Sequence, residues 1–209
     1  MLAGIDEAGR GSLLGHMVIA GVLIDEKDEE TLKFIGVRDS KKLTPTRRNI
    51  LASAIAQIAK KITVVSISPK DIDSINLNEI TARTSARIID FFGPDRVVLD
   101  ALSHGKGIAK YKDKVENFSR VSWQGIEIIA ENKADENHVV VGAASIIAKV
   151  IRDNHIYRIQ QKYPDYKVGS GYPSDNVTRS FVKQVYEATG FLPLSVRKKW
   201  SSVKKIINS

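Results

Sequence analysis

Short apolar segments alternate with amphipathic ones along this chain, and this alternation constrains the fold more than any other feature of the sequence. Residues 2–5, 17–24 and 62–68 are short, apolar and bounded by polar or glycine-containing segments, which predicts strands. Strands that alternate with helices are typical of an α/β sheet flanked by helices. Because the first two strands follow each other closely, the sequence favours a mixed sheet over a wholly parallel one.

The remaining elements follow from the same periodicities. Thr44 and Pro45 have the character of a helix cap and a first helical residue, and Gly93 can end a later helix. The predicted helices cover 45–61, 77–92, 141–162 and 176–189, and the further predicted strands cover 96–100, 118–123 and 126–131. We expect a main domain over residues 1–172 and a helical, basic appendage over 173–209.

The chain is basic, with a net charge of +8 and a pI near 9.6. Its last 15 residues, 195–209, contain five Lys or Arg residues and no acid. This favours a polyanionic partner such as nucleic acid, although a lysine-rich surface alone gives the same balance. Without cysteine the chain has no thiolate chemistry. Without an apolar run or leader-like start, we expect a cytoplasmic protein that does not bind membranes.

Acidic residues stand where predicted strands end. Asp6 and Glu7 follow "LAGI", Asp100 follows "RVVL", and Asp135 precedes a helix that starts with small residues. Ligands of open α/β sheets bind at the carboxyl ends of the strands, and clustered carboxylates there stay ionised beside hard divalent cations. The pattern predicts a site for Mg²⁺ or Mn²⁺, with two ions during phosphodiester hydrolysis. Taken alone, Asp135 is better explained as a helix cap or a solvated strand end.

Three loops carry weaker signals. The Gly9-Arg10-Gly11 turn is either a simple hairpin turn or backbone that approaches a sugar–phosphate chain closely. The basic segment 38–48 includes Lys41 and Lys42, and is either a phosphate contact or a solvated helix start. In "GSGYPSD", residues 169–175, the pattern alone favours a turn that caps the next helix over a stacking role for the tyrosine.

As a set, these motifs resemble those of ribonuclease HII, the type 2 ribonucleases H. The segments "GIDEAGRG", "DSKKLTP", "VLDAL", "NKADENHVVVGAASIIAKVIRD" and "GSGYPSD" occur in the family's order and span nearly the whole chain. The resemblance implies a ribonuclease H-like mixed sheet over 1–172 with a C-terminal helical part. It also implies endonucleolytic cleavage of RNA in RNA–DNA hybrids and cleavage 5′ to single ribonucleotides in duplex DNA, leaving 5′-phosphate and 3′-hydroxyl ends.

The resemblance also assigns residues. The family's four catalytic, metal-binding acids fall on Asp6, Glu7, Asp100 and Asp135. Its substrate-binding positions fall on Gly9, Arg10, Gly11, Lys41, Lys42 and Tyr172, the last as the junction-sensing tyrosine. Ser12, His16 and Asn176 stand where proline is common in the family, and these departures concern loop geometry rather than the acids.

Two other functions fit parts of the sequence. A non-catalytic nucleic-acid-binding module explains the basic charge but leaves the four acids without a role. A metal-dependent phosphatase explains the acids but leaves the basic tail without one. We expect a monomer, and the C-terminal residues show no glutamine–aliphatic–aromatic motif that would support binding to a sliding clamp.

Overall fold

The structure, a computed structural model, describes residues 1–37, 43–101, 105–120 and 125–208. The chain forms two compact units, and neither is one continuous stretch of sequence. The first unit comprises Met1–Ala8, Ile19–Val65 and Asn76–Val150, and the second comprises Gly9–Val18, Ser66–Ile75 and Ile151–Ser209. The chain-order division at residue 172 stays a prediction. No helix within the described ranges is long and apolar enough to cross a membrane.

A mixed five-stranded sheet in the order β3-β2-β1-β4-β5 confirms the predicted fold class. Its strands are β1 (Leu2–Ala8), β2 (Met17–Ile24), β3 (Lys61–Ile67), β4 (Arg96–Asp100) and β5 (Glu127–Glu131). Strand β4 runs parallel to both β1 and β5, so the carboxyl ends of these three strands lie on the same edge of the sheet. This is the edge at which the sequence places Asp6 and Asp100.

The helices flank this framework. They are α1 (Glu29–Phe34), α2 (Pro45–Ile58), α3 (Pro69–Ser74), α4 (Leu77–Phe92), α5 (Lys106–Phe118), α6 (Ala134–Asn137), α7 (Val139–Lys162), α8 (Asn176–Thr189) and α9 (Ser201–Ile207). The predicted start of α2 and the predicted end of α4 are confirmed: the Thr44 side chain accepts the Arg47 N–H, and Gly93 is left-handed. Helix α2 ends at Ile58, short of the predicted residue 61, which belongs to β3.

The predicted strand over 118–123 is wrong at its described residues. The sequence predicted a strand over 118–123, but Phe118 is the last residue of α5, and residues 121–123 lie outside the described ranges. Helix α5 was missed because it starts after Gly105 without a side-chain cap, so the usual signal for a helix start is absent.

Close packing of β1 against α7 fixes the end of β1. A Cβ added to Gly4 would come within 2.5 Å of the Val140 carbonyl carbon and oxygen. Because backbone atoms cannot move aside as a flexible side chain can, only glycine fits there. Gly4 therefore allows the backbone of α7 to approach β1 closely, two residues before Asp6.

The second unit has its own apolar core, and the N-terminal segment Gly9–Val18 belongs to it. The Leu13 and Leu14 N–H groups both donate to the Gly171 carbonyl, at 2.7 and 3.1 Å. Leu14 also forms an antiparallel bridge with Val196. The buried members of this core are Leu13, Leu14, Ile159, Val168, Phe181, Val182, Val185, Val196, Val203 and Ile206.

Candidate active site

Asp6, near the end of β1, is only 5% exposed. Its Oδ1 accepts the Glu7 N–H at 2.7 Å, and its carboxylate also accepts a hydrogen bond from the Ser145 hydroxyl. The Lys149 ammonium donates in turn to the Ser145 oxygen at 2.9 Å. Lys149 and Ser145 lie one turn apart on α7, so that helix supplies a short polar chain that ends at Asp6.

The four predicted acids lie close enough to affect the pKa of Asp6. Burial raises the pKa of the Asp6 carboxyl well above its usual value, and the nearby Asp100 and Glu7 carboxylates raise it further. The hydrogen bond from Ser145 opposes that rise, and Asp135 adds a smaller repulsion. The structure thus brings together acids that are up to 129 positions apart in the sequence. Such a cluster carries negative charge that a bound cation would neutralise.

The Asp100 carboxylate and Asp135 both lie at the start of α6. The Asp100 carboxylate accepts the Ala134 N–H at 2.9 Å. Lys133, directly before α6, has a φ of 60°, which is uncommon for a residue with a side chain. Asp135 follows in the first turn of α6 and is 4% exposed. A left-handed residue beside two clustered acids marks a locally constrained segment of the site.

The donor set suits a hard divalent cation, since carboxylate oxygens are the ligands that Mg²⁺ and Mn²⁺ prefer. As they stand, however, no three His, Asp or Glu side chains of the described ranges are arranged to hold an ion. The mutual effect on the pKa of Asp6 shows that the acids are near one another. A role in metal binding therefore rests on the type of these residues and on their proximity, not on a preformed ligand geometry.

In the second unit, a buried arginine holds the Gly9-Arg10-Gly11 turn. Arg197 is 0% exposed and donates to the carbonyl oxygens of Gly9 and Arg10 at 2.6 Å, and to that of Gly15 at 3.2 Å. Burial lowers the pKa of its guanidinium to about 10, which leaves it charged at neutral pH. The sequence placed Arg197 among the basic residues of the tail. Its side chain is instead buried and hydrogen-bonded to carbonyl oxygens within the second unit.

Tyr172 lies half-buried in the loop before α8. The Arg152 guanidinium stacks over its ring, 4.4 Å from the ring centroid. Asp175 braces the same loop by accepting the Ser170 N–H at 2.6 Å and the Val177 N–H at 2.9 Å. These bonds, with one from the Ser170 hydroxyl, lower the pKa of Asp175 to about 2.

The predicted site residues therefore fall into two groups. The four acids cluster in the first unit, whereas Gly9, Arg10, Gly11 and Tyr172 lie in the second. Lys41 and Lys42 lie outside the described residues.

Sequence reasoning missed Ser145, Lys149, Arg152 and Arg197. The four-residue spacing of Ser145 and Lys149 on a predicted helix was a usable signal. Nothing local marks Arg197, because its partners are more than 180 positions away.

Comparison with known proteins places this arrangement in a family. The sequence family described as ribonuclease HII matches residues 3–203. A ribonuclease HII of Methanobrevibacter smithii is 42% identical over 213 residues, which cover 99% of this chain and 98% of that protein.

Two solved structures agree with this match. The crystal structure of the ribonuclease H2 from Pyrococcus horikoshii OT3 superposes with a TM-score of 0.89 at 36% identity, covering 99% of this chain and 97% of that one. The ribonuclease HII of Archaeoglobus fulgidus, solved in a complex with PCNA, gives a TM-score of 0.84 at 37% identity, with coverage of 99% and 96%.

These matches span both units, so neither a non-catalytic binding module nor a small-substrate phosphatase is favoured. The chain belongs to the ribonuclease HII family, and it is an endonuclease that cleaves RNA in RNA–DNA hybrids and ribonucleotides in DNA.

Proposed function

We propose that Asp6, Glu7, Asp100 and Asp135 form the catalytic centre of this ribonuclease. The observation that carries the proposal is the buried Asp6 carboxylate, whose pKa is raised first by burial and then by the nearby Asp100, Glu7 and Asp135. A cluster of like charges is unfavourable for stability alone, so its presence supports a role in holding cations.

Metal dependence is general in this family, and the donor set supports Mg²⁺ or Mn²⁺, with two ions during catalysis. When bound, such ions activate a water and stabilise the leaving oxygen of the phosphodiester. Asp6 would be shared between the ions, Asp100 and Glu7 would complete one ligand set, and Asp135 would complete the other. Ser145 and Lys149 would fix the orientation of the Asp6 carboxylate through their hydrogen bonds.

Recognition of the ribonucleotide would rest on the second unit. RNA differs from DNA at each sugar by the 2′-hydroxyl, and backbone groups of the Gly9-Arg10-Gly11 turn would bind that group. The Tyr172 ring would pack against the neighbouring deoxyribose. Incision would then fall on the 5′ side of the ribonucleotide, leaving 5′-phosphate and 3′-hydroxyl ends.

Affinity for the duplex would come from basic residues that contact phosphates without reading sequence. A groove of about 520 Å³ between α8 and α9 is lined by Arg179, Lys183 and Lys205, and no carboxylate lies among its described lining residues. This supports a substrate-binding role for residues 173–209. Lys41 and Lys42 are proposed as further phosphate contacts on the family resemblance alone.

Binding to PCNA belongs to the Archaeoglobus fulgidus relative and forms no part of this proposal. The expected monomeric state stays a prediction.

Substitution of Asp100 tests the catalytic assignment. Asp100→Asn keeps the shape of the side chain but removes a negative charge from the cluster, so turnover should be abolished while duplex binding stays near the wild-type level. Glu136→Gln is the matched control, because Glu136 is an exposed acid directly after Asp135 and pairs with Lys133 at 3.8 Å. Cleavage of a ribonucleotide-containing duplex and binding in EDTA are the measurements. Normal cleavage by Asp100→Asn would overturn the assignment.

A further inference from the structure

Ser12 joins two loops that are far apart in the sequence. Its side chain is 0% exposed, and its Oγ lies 2.8 Å from the Gly171 carbonyl oxygen and 2.9 Å from the Leu14 carbonyl oxygen. A hydroxyl has one proton, so it donates to one of these carbonyls at a time and keeps lone pairs to accept. Arg152 Nη2 donates to that oxygen at 3.0 Å.

Arg152 extends the same connection to Tyr172. The residue is 6% exposed, and its Nη2 also donates to the Ser170 carbonyl oxygen at 2.5 Å. Its guanidinium plane lies over the Tyr172 ring. One planar group therefore contacts the Ser12 hydroxyl, the backbone before Tyr172 and the aromatic ring itself.

The two glycines at this junction leave no room for adjustment. A Cβ added to Gly171, where φ is +83°, would come within 2.9 Å of Arg152 Nη2 and 3.2 Å of Ser12 Oγ. A Cβ added to Gly9, where φ is +79°, would come within 3.1 Å of Arg152 Cγ. Arg152 is thus packed against backbone of both the Gly9–Ser12 segment and the Ser170–Tyr172 segment.

Arg152 Nε, in addition, has no hydrogen-bond partner among the described residues although it is buried. A buried donor without a partner is unfavourable for folding. The restraint that Arg152 provides therefore comes from Nη2 and from the contact with the ring, not from Nε.

We propose that Ser12 and Arg152 are positioning residues that hold the Tyr172 ring and the Gly9–Gly11 turn in one fixed relation, and so set the preference for a junction between ribonucleotide and deoxyribonucleotide. The inference rests on the proposed roles of Tyr172 and of the turn. Two loops that read neighbouring sugars must keep a constant separation, and here a hydroxyl and a guanidinium keep it.

The fork of the guanidinium is essential to this role. A lysine in its place would keep the positive charge, but it would lack the planar group that stacks on the ring while it donates to Ser12 and Ser170. Arg152→Lys should therefore behave like a loss of the connection rather than a conservative exchange. Ser12→Ala removes the hydroxyl alone and leaves Gly171 bonded to the Leu13 and Leu14 N–H groups, so this variant should fold.

The test compares cleavage of a duplex with one ribonucleotide against cleavage of a long RNA–DNA hybrid. For Ser12→Ala and for Arg152→Lys, the ratio of the two kcat/KM values should fall by about fivefold or more, the effect of removing one hydrogen bond. Ser53→Ala and Arg83→Lys are matched controls. Ser53 donates to the Asn49 carbonyl oxygen within its own helix, and the Arg83 guanidinium lies over the Phe118 ring at 4.3 Å in the first unit.

Amide hydrogen exchange provides a second readout that does not depend on turnover. In Ser12→Ala, exchange should rise both in residues 9–14 and in residues 169–173, while the β1 and β4 amides stay protected. An unchanged cleavage ratio in both variants, or faster exchange confined to the segment that carries the substitution, would overturn the proposal. If instead Tyr172→Ala left the ratio unchanged, the proposed role of Tyr172 would fail, and the exchange result alone would decide whether the two loops are coupled.

Discussion

Gly9 and Gly11 are alike in the sequence, but the structure gives them different constraints. Gly9 has a φ of +79° and packs against Arg152, so its backbone conformation requires glycine. At Gly11 an added Cβ meets nothing within 4 Å among the described residues, and its φ is not left-handed. The fold therefore does not explain glycine at position 11, whereas a closely approaching substrate would.

Gly11→Ala separates these two explanations. The thermal unfolding midpoint should stay within a degree or two of the wild-type value, since a surface substitution without strain changes stability little. Catalytic efficiency on the ribonucleotide-containing duplex should fall on the order of 10- to 100-fold, because the methyl group displaces the sugar from its reactive position. Steady-state kinetics together with thermal melts check this. Full activity in a fully stable variant would remove Gly11 from the substrate contacts.

The sequence predicted the four acids as site residues, but it did not predict the residues that form hydrogen bonds with the loops. Asp6 and Asp100 were predictable because each stands near the carboxyl end of an apolar strand, and ligands of such sheets bind at that edge. Arg197 was not, because a basic residue in a basic tail looks solvated until its carbonyl partners are known. Ser12 was noted only because proline is common at this position in the family. Its side chain restrains the loop through hydrogen bonds to the Leu14 and Gly171 carbonyl oxygens instead.

At the scale of elements, short-range patterns predicted what is locally determined. Strand β2 and helices α4 and α8 have the predicted bounds, because apolar periodicity and the residues that end each element agree. Helix α5 and the short α6 were missed, and neither has a side-chain cap. Helices α1 and α3 were also missed, although Ser68 caps α3, because both are only six residues long. Helix α6 matters most, because it carries Asp135 and starts after a left-handed Lys133 that no propensity would place there.

The link between the Tyr172 loop and α8 should depend on pH through Asp175. Its pKa is lowered to about 2 in the folded protein, from an ordinary value of 3.8, by hydrogen bonds from Ser170 and Val177. A lowered pKa means that the stabilisation is complete above pH 4 and is lost as the pH falls through 2. Asp175→Asn, which still caps a helix, should melt below the wild type at pH 7, with a gap that narrows between pH 4 and 2. A gap that is constant with pH would contradict this account.

The groove between α8 and α9 should contribute charge rather than catalysis. Replacement of Arg179, Lys183 and Lys205 by glutamine should lower duplex affinity and reduce the slope of log K against log salt by about 0.9 for each phosphate that is no longer neutralised. The kcat at saturating substrate should stay unchanged. A matched triple replacement at Lys27, Lys33 and Lys110, all in the first unit, should leave the slope near the wild-type value. Equal slopes for both triple variants and the wild type would exclude the groove from the interface.

At the scale of the whole molecule, the predicted site residues are divided between the two units. The first 18 residues supply two of the acids to one unit and the glycine turn to the other. The sequence identified both features side by side, but it could not show that each is completed by different distant segments. Such pairings depend on the tertiary fold, which a pattern of neighbouring residues does not encode.

The central claim is that this chain incises DNA at a ribonucleotide through metal ions held by the four acids. Its most direct test uses a labelled duplex with one embedded ribonucleotide. Separate reactions contain Mg²⁺, Mn²⁺ or EDTA, and the ends of any product are mapped. We predict incision 5′ to the ribonucleotide with either metal, a 3′-hydroxyl and a 5′-phosphate at the nick, and no product in EDTA. Folded protein that gave no product with any divalent metal, or the same product in EDTA, would contradict the account.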